Sequence, residues 1–140
     1  MNCFVYGTIL KGMHRNESLL DSPCLGLACT QGDLFDLGDY PGMIQGDGLV
    51  YGEVYEIDDE ILAILDQIEG FFPGRAKDSL YLRSEITNTM LKDGQKLQAW
   101  AYFYNRDLSK AQRIQHGDYR RHRAEAESDR VHRIRLEHEL

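Results

Sequence analysis

The sequence predicts an α+β domain in which a small mixed β-sheet of six or seven strands curls into a barrel with flanking helices. Three observations predict it. Short apolar, strand-like runs recur along most of the chain, separated by Gly, Asp and Pro turn signals. One of them, "GLVYGEVYEID" at 48–58, is apolar on both faces, so it belongs in the middle of a sheet. A single internal segment, 58–69, has the 3.6-residue period of an amphipathic helix.

In chain order, "NCFVYG" reads as a buried first strand ending in glycine, and "TILKGMHRN" as a loop with a helical turn near 17–20. "SPCLGLACTQGDLFDLG" fits two strands or one bent strand, and "DYPGM" a turn signalled by Pro41-Gly42. After the central strand, Asp58 suits an N-cap, with Asp59 and Glu60 in the first turn and Gly70 as the stop. "LYLRSEITNTML" and "KLQAWAYFY" are two more strands, joined at Lys92-Asp93-Gly94. The domain is expected to span 1–117. Residues 118–140, rich in Arg, Glu, Asp and His, form a charged tail that is either a solvated helix or partly disordered.

The chain has 140 residues and a net charge of −7. The tail is charge-balanced, so the excess acid sits on the body, and nucleic acid is not an expected partner. No apolar run is long enough for a membrane span, and "MNCFVYG" does not read as a signal peptide. Cys3, Cys24 and Cys29 match no metal spacing. They are expected to be reduced, small buried hydrophobes in a cytoplasmic protein.

The helix carries the most informative residue. At about 100° per residue with Ile61 at zero, Leu65 falls at about 40°, Leu62 at about 100° and Glu69 at about 80°. Glu69 therefore lies inside the apolar arc, while Asp66 lies at its edge. Two readings stay open. The last turn frays and Glu69 swings to water, or the carboxyl faces an apolar cavity that raises its pKa toward neutrality for acid–base work. Upstream, Tyr6-Gly7-Thr8-Ile9-Leu10 is either an ordinary tight turn or a nest of unpaired N–H groups that binds an anion.

Four elements in order, "FVYGTILKG" at 4–12, "GEVYEID" at 52–58, "LDQIEG" at 65–70 and "YLR" at 81–83, resemble the γ-glutamylcyclotransferase-like family, of the γ-glutamylamine cyclotransferase type. "AWAYFY" at 99–104 supports the resemblance, and "GDY" at 117–119 is a weaker match. The resemblance implies a small barrel with one catalytic glutamate, at Glu69, and a metal-free, cofactor-free reaction. A γ-glutamyl compound closes on itself to 5-oxoproline and releases an amine. It also implies that residues Tyr6, Gly7, Thr8, Ile9 and Leu10 bind the amino-acid end of the substrate, and that Tyr81 and Tyr102 line the cavity, giving shape and hydroxyl donors. The stretch "GFFPGRAKDSL" after Glu69 is longer than the compact form of this loop, so it is expected to act as a lid that influences substrate choice.

Other residues have plainer readings. Glu53 is the runner-up acid or a barrel-rim residue, and Arg83 a carboxylate ligand or a surface pair. Trp100 packs. The five histidines have no metal-ligand spacing, and the serines lack a nucleophile-elbow context. Besides the enzyme, two functions remain compatible: a non-catalytic small-molecule binding module on the same fold, and self-association through the tail.

Overall fold

The computed structural model describes residues 1–10, 12, 13 and 15–139, the last without its side chain. Its elements run β1 (Asn2–Val5), β2 (Cys24–Asp36), β3 (Pro41–Glu56), α1 (Asp59–Glu69), β4 (Tyr81–Met90), β5 (Lys96–Tyr104), β6 (Gln112–Arg113) and α2 (Tyr119–Glu139). Strands pair in the order β3-β1-β5-β4-β2, and β2 also pairs with β3, so five strands close a ring. Among the described residues only β1 and β5 run parallel, with Cys3 opposite Trp100; the other pairings are antiparallel. β6 adds to β2 outside the ring.

The strand predicted at 48–58 is the second half of a longer one. β3 begins at Pro41, and the turn sits earlier, where the Leu37 N–H donates to Tyr40 O at 3.0 Å. Proline is tolerated as a strand's first residue because no ladder N–H is needed from it there. The segment read as two strands or one bent strand is the latter: β2 shifts register between Cys24 and Gly26 and between Gln31 and Asp33. Such bulges bend a strand around a barrel. Not every cysteine is buried as expected: Cys3 is, but Cys24, at the start of β2, is exposed.

Side chains on the two faces of the ring build two cores. Inside, Phe4, Ala28, Val50, Val54, Met90 and Ala101 pack together. Outside, α1 lays Leu62 and Leu65 over Cys3, Val5 and Tyr55. The caps of α1 are those the sequence asks for. The Asp58 side chain accepts the Ile61 N–H at 2.9 Å. Gly70 takes φ 63°, the Gly70 N–H bonds Gln67 O at 3.2 Å, and the Phe71 N–H bonds Asp66 O at 2.9 Å. That pair of bonds is a Schellman closure, so the turn bearing Glu69 is tied off rather than frayed.

Residues after Tyr104 belong to the fold as well. The Ile114 N–H bonds Leu34 O at 2.8 Å, and its side chain is buried. "GDY" then does three jobs. Gly117 adopts φ +74°, where a Cβ would fall 1.7 Å from Leu49 O, and its own O accepts the Tyr51 N–H at 2.8 Å. Asp118 Oδ1 accepts the Arg121 N–H at 3.1 Å, and Tyr119 enters the inner core at 2% exposure. α2 therefore starts anchored, but every described side chain from Arg123 to His138 is exposed. Truncating Tyr119 to Ala is expected to cost about 3–5 kcal/mol, the range for large buried aromatics. A urea titration giving a loss under about 1 kcal/mol would show that the anchor is dispensable.

Candidate active site

Four regions converge on a cavity of about 230 Å³: β1 with the loop after it, the β2–β3 turn, the C-terminal end of α1, and the start of β4 beside the end of β5. Tyr6, Gly7, Thr8, Ile9, Glu69, Tyr81 and Tyr102 all line it, joined by Phe4, Val5, Arg15, Tyr40, Pro41, Ile68 and Leu80. Leu10 does not. Its side chain is 2% exposed in the outer core and its N–H is spent on Gly7 O at 3.0 Å.

Among the described residues, the N–H groups of Gly7, Thr8 and Ile9 find no acceptor. They leave a set of donors on the cavity wall. Gly7 itself is required by protein rather than ligand: a Cβ there would lie 2.6 Å from the Pro41 ring. The turn is held from behind. Asn16 Nδ2 donates to Ile9 O at 2.8 Å and to the Tyr55 hydroxyl at 3.3 Å; that hydroxyl donates to Glu53 Oε1 at 3.3 Å. Glu53 also meets Arg120 of α2 at 3.7 Å. It is 5% exposed and does not line the cavity, so the runner-up acid sits as a buried brace behind the turn rather than on an exposed rim.

Glu69 lines the cavity, and burial pushes its carboxyl up to about 7, with the Arg15 charge pulling the other way. No hydrogen-bond donor for that carboxyl occurs among the described residues. At neutral pH it therefore exchanges a proton readily, as a general acid–base must.

The tyrosines behave differently from the expectation. The Tyr81 hydroxyl donates to Pro41 O at 2.6 Å, and that of Tyr102 to Asp66 Oδ1 at 2.6 Å. The Tyr6 hydroxyl donates to Tyr102 O at 2.6 Å and accepts the Met43 N–H at 3.1 Å. Burial raises all three well above the ordinary phenol value, so they stay neutral. They give the cavity its shape, and their protons are already committed.

Asp66 and Arg83 form a pair that pattern reading left unassigned. Arg83 Nη1 meets Asp66 Oδ2 at 2.6 Å, and the guanidinium lies 4.7 Å from the Trp100 ring and 5.2 Å from the Phe71 ring. "LDQIEG" and "YLR" are thus bolted to each other: the aspartate of one holds the arginine of the other, one helical turn from Glu69. Asp66 at the edge of the apolar arc was the available signal. Arg15 and Tyr40 carried none, because each sits in a polar loop.

The longer stretch after Glu69 is not draped over the cavity. It closes on itself, with the Phe72 N–H on Ser79 Oγ at 2.9 Å, Arg75 on Asp78 at 2.9 Å and the Leu80 N–H on Gly70 O at 2.9 Å. Leu80 alone of its residues lines the cavity.

A closed five-stranded mixed barrel with one carboxyl facing an N–H-rich turn defines a known class. Residues 3–121 match the family model for gamma-glutamyl cyclotransferase, AIG2-like, and the chain belongs to that family. Among relatives, it is 36% identical over 109 residues to the gamma-L-glutamyl-butirosin B gamma-glutamyl cyclotransferase of Niallia circulans, spanning 76% of this chain and 68% of that one. It is 32% identical over 120 residues to the gamma-glutamylcyclotransferase family protein YtfP of Escherichia coli, spanning 85% and 96%. The crystal structure of YkqA from Bacillus subtilis superposes with a TM-score of 0.72 at 31% identity, over 91% of this chain but only 42% of that one. No helix among the described residues is long and apolar enough to cross a membrane.

Proposed function

We propose that this chain is a γ-glutamyl cyclotransferase that converts a γ-glutamyl compound into 5-oxoproline and a free amine, with Glu69 as general acid–base. The observation that carries the reading is the pairing of one near-neutral buried carboxyl with the free N–H groups of Gly7, Thr8 and Ile9 across a small cavity. The catalytic domain is taken as 1–117, with 118–140 an appendage anchored at Tyr119, and the free thiols suit a reducing cytoplasm.

The substrate's α-carboxylate docks on the turn N–H groups, which folds the γ-glutamyl chain so that its α-nitrogen faces its own γ-carbonyl. Orienting two groups of one molecule is worth up to roughly 7–11 kcal/mol of barrier. Ionised Glu69 takes a proton from the α-ammonium. The freed amine attacks the γ-carbonyl carbon, the new C–N bond closes the five-membered ring, and the amide C–N bond breaks. Glu69 returns its proton to the departing nitrogen, while the second proton lost by the ring nitrogen leaves the amine as its ammonium form at neutral pH. Such proton transfer contributes about 10²–10⁴-fold. The tyrosines hold the cavity's outline around this motion without donating to it.

A panel of γ-glutamyl compounds assayed for 5-oxoproline tests the reading. Product from at least one member is expected. Binding without product from any member would make the protein a binding module.

A further inference from the structure

A second hollow lies on the other side of two of the cavity's walls. Arg15 and Ile68 line both the cavity and an adjoining groove of about 530 Å³, completed by Glu17, Ser18 and Ile64. Ile64 and Ile68 are four residues apart on α1, so they form one apolar stripe leading back from Glu69 along the helix. Ile64 is 39% exposed, an apolar surface left open beside the site. At about 230 Å³ the cavity is smaller than the roughly 300–1,000 Å³ that encloses a drug-sized ligand. It suits the γ-glutamyl half of a substrate, and the group on the departing nitrogen must extend outside it. Glu69 lines the cavity and its chain neighbour Ile68 lines both cavity and groove, so the groove is the apolar surface nearest the proposed proton donor to that nitrogen.

Arg15 gives the groove its chemistry. Its backbone is fixed, the N–H on Thr8 O at 2.9 Å and the O on Ser18 Oγ at 3.1 Å. Its guanidinium meets no carboxylate and no carbonyl among the described residues. An arginine with no such partner among the described residues, lining both cavity and groove next to an apolar stripe, is arranged for a carboxylate attached to an apolar group. An α-amino acid presents that pattern, since its carboxylate and side chain leave the carbon next to the departing nitrogen. Exposed Glu17 on the same groove disfavours an acidic side chain there.

Resting on the cyclotransferase reading, we propose that this groove is the leaving-group subsite and that the amine released is an α-amino acid with an apolar side chain. Arg15 binds its carboxylate, and Ile64 and Ile68 receive its side chain.

The test compares γ-glutamyl-leucine with γ-glutamyl-3-methylbutylamide, the same molecule without the leaving group's carboxylate, and with γ-glutamyl-glycine. Wild type is expected to prefer γ-glutamyl-leucine over the amide by about 10- to 100-fold in kcat/KM, the value of a hydrogen bond to a charged group. Arg15→Met should collapse that ratio toward unity, and Arg15→Lys should keep part of it. Ile64→Glu, at an exposed site, should erase the preference for leucine over glycine. Any effect of Arg15 on Glu69 is common to both substrates and cancels in the ratio. Equal wild-type rates on acid and amide would overturn the proposal, as would Arg15→Met slowing both alike. Product only from γ-glutamyl compounds with other amines would overturn it while leaving the cyclotransferase reading standing. No 5-oxoproline from any compound would remove that reading and this inference together.

Discussion

Glu69→Gln is expected to lower turnover by about 10²–10⁴-fold while leaving the fold and substrate affinity near those of wild type. Glutamine keeps the size of the side chain and lacks the proton. The wild-type rate should rise with pH through about 7, where the carboxyl ionises, and that limb should vanish in whatever activity the variant retains. The same substitution has a second signature. A carboxyl whose folded pKa is raised stabilises the fold only while protonated, so its contribution is complete below about 4.5 and lost as pH climbs through about 7. The loss amounts to at most about 3 kcal/mol at 1.36 kcal/mol per unit. Glu69→Gln should therefore be more stable than wild type at pH 8 by up to that amount, with the gap closing toward pH 4.5. Denaturant titrations at the two pH values decide it. An inactive variant with no stability gain would mean that Glu69 is solvated, and the cavity argument would fall.

Arg83→Met should destabilise the protein by about 3–5 kcal/mol, because it leaves a buried carboxylate without its cation. The Asp66 and Arg83 side chains are 13% and 18% exposed, and the Tyr102 hydroxyl also donates to Asp66. Adding Asp66→Asn should restore part of the loss, since the pair as a unit is worth less than either broken half. The single variant should also lose activity beyond what unfolding explains, as α1 is no longer pinned to β4 one turn from Glu69. A thermodynamic cycle with additive energies would show that the two do not interact.

Legibility in the sequence followed a physical divide. Elements whose signals are local were readable: the caps of α1, the apolar faces of β3 and the turn at Lys92-Asp93-Gly94 all depend on neighbours in the chain. The placement of Glu69 inside the apolar arc was readable too, but whether its turn frayed depended on Phe71 reaching back to Asp66 O. What stayed hidden depends on long-range partners. Pro41-Gly42 looks like a turn until β2 is seen to pair with it. β6 is two residues long and exists only because β2 extends far enough to meet it. The tyrosines look like donors to substrate until their acceptors, Pro41 O for Tyr81 and the Asp66 carboxylate for Tyr102, are known, and Glu53 looks like a rim residue until α2 folds over it.

The committed tyrosine hydroxyls also divide the molecule by how freely it can vary over evolutionary time. Tyr6 and Tyr81 fasten the cavity wall to the backbone of other segments and Tyr102 fastens it to the Asp66 carboxylate, so a change in any of them alters the barrel as well as the pocket. Arg15, Glu17 and Ile64 lie at its margin, where a substitution typically costs within about 0.5 kcal/mol. Under the proposed cyclotransferase reading, a lineage can therefore exchange one released amine for another at the margin while the chemistry welded into the fold is inherited unchanged.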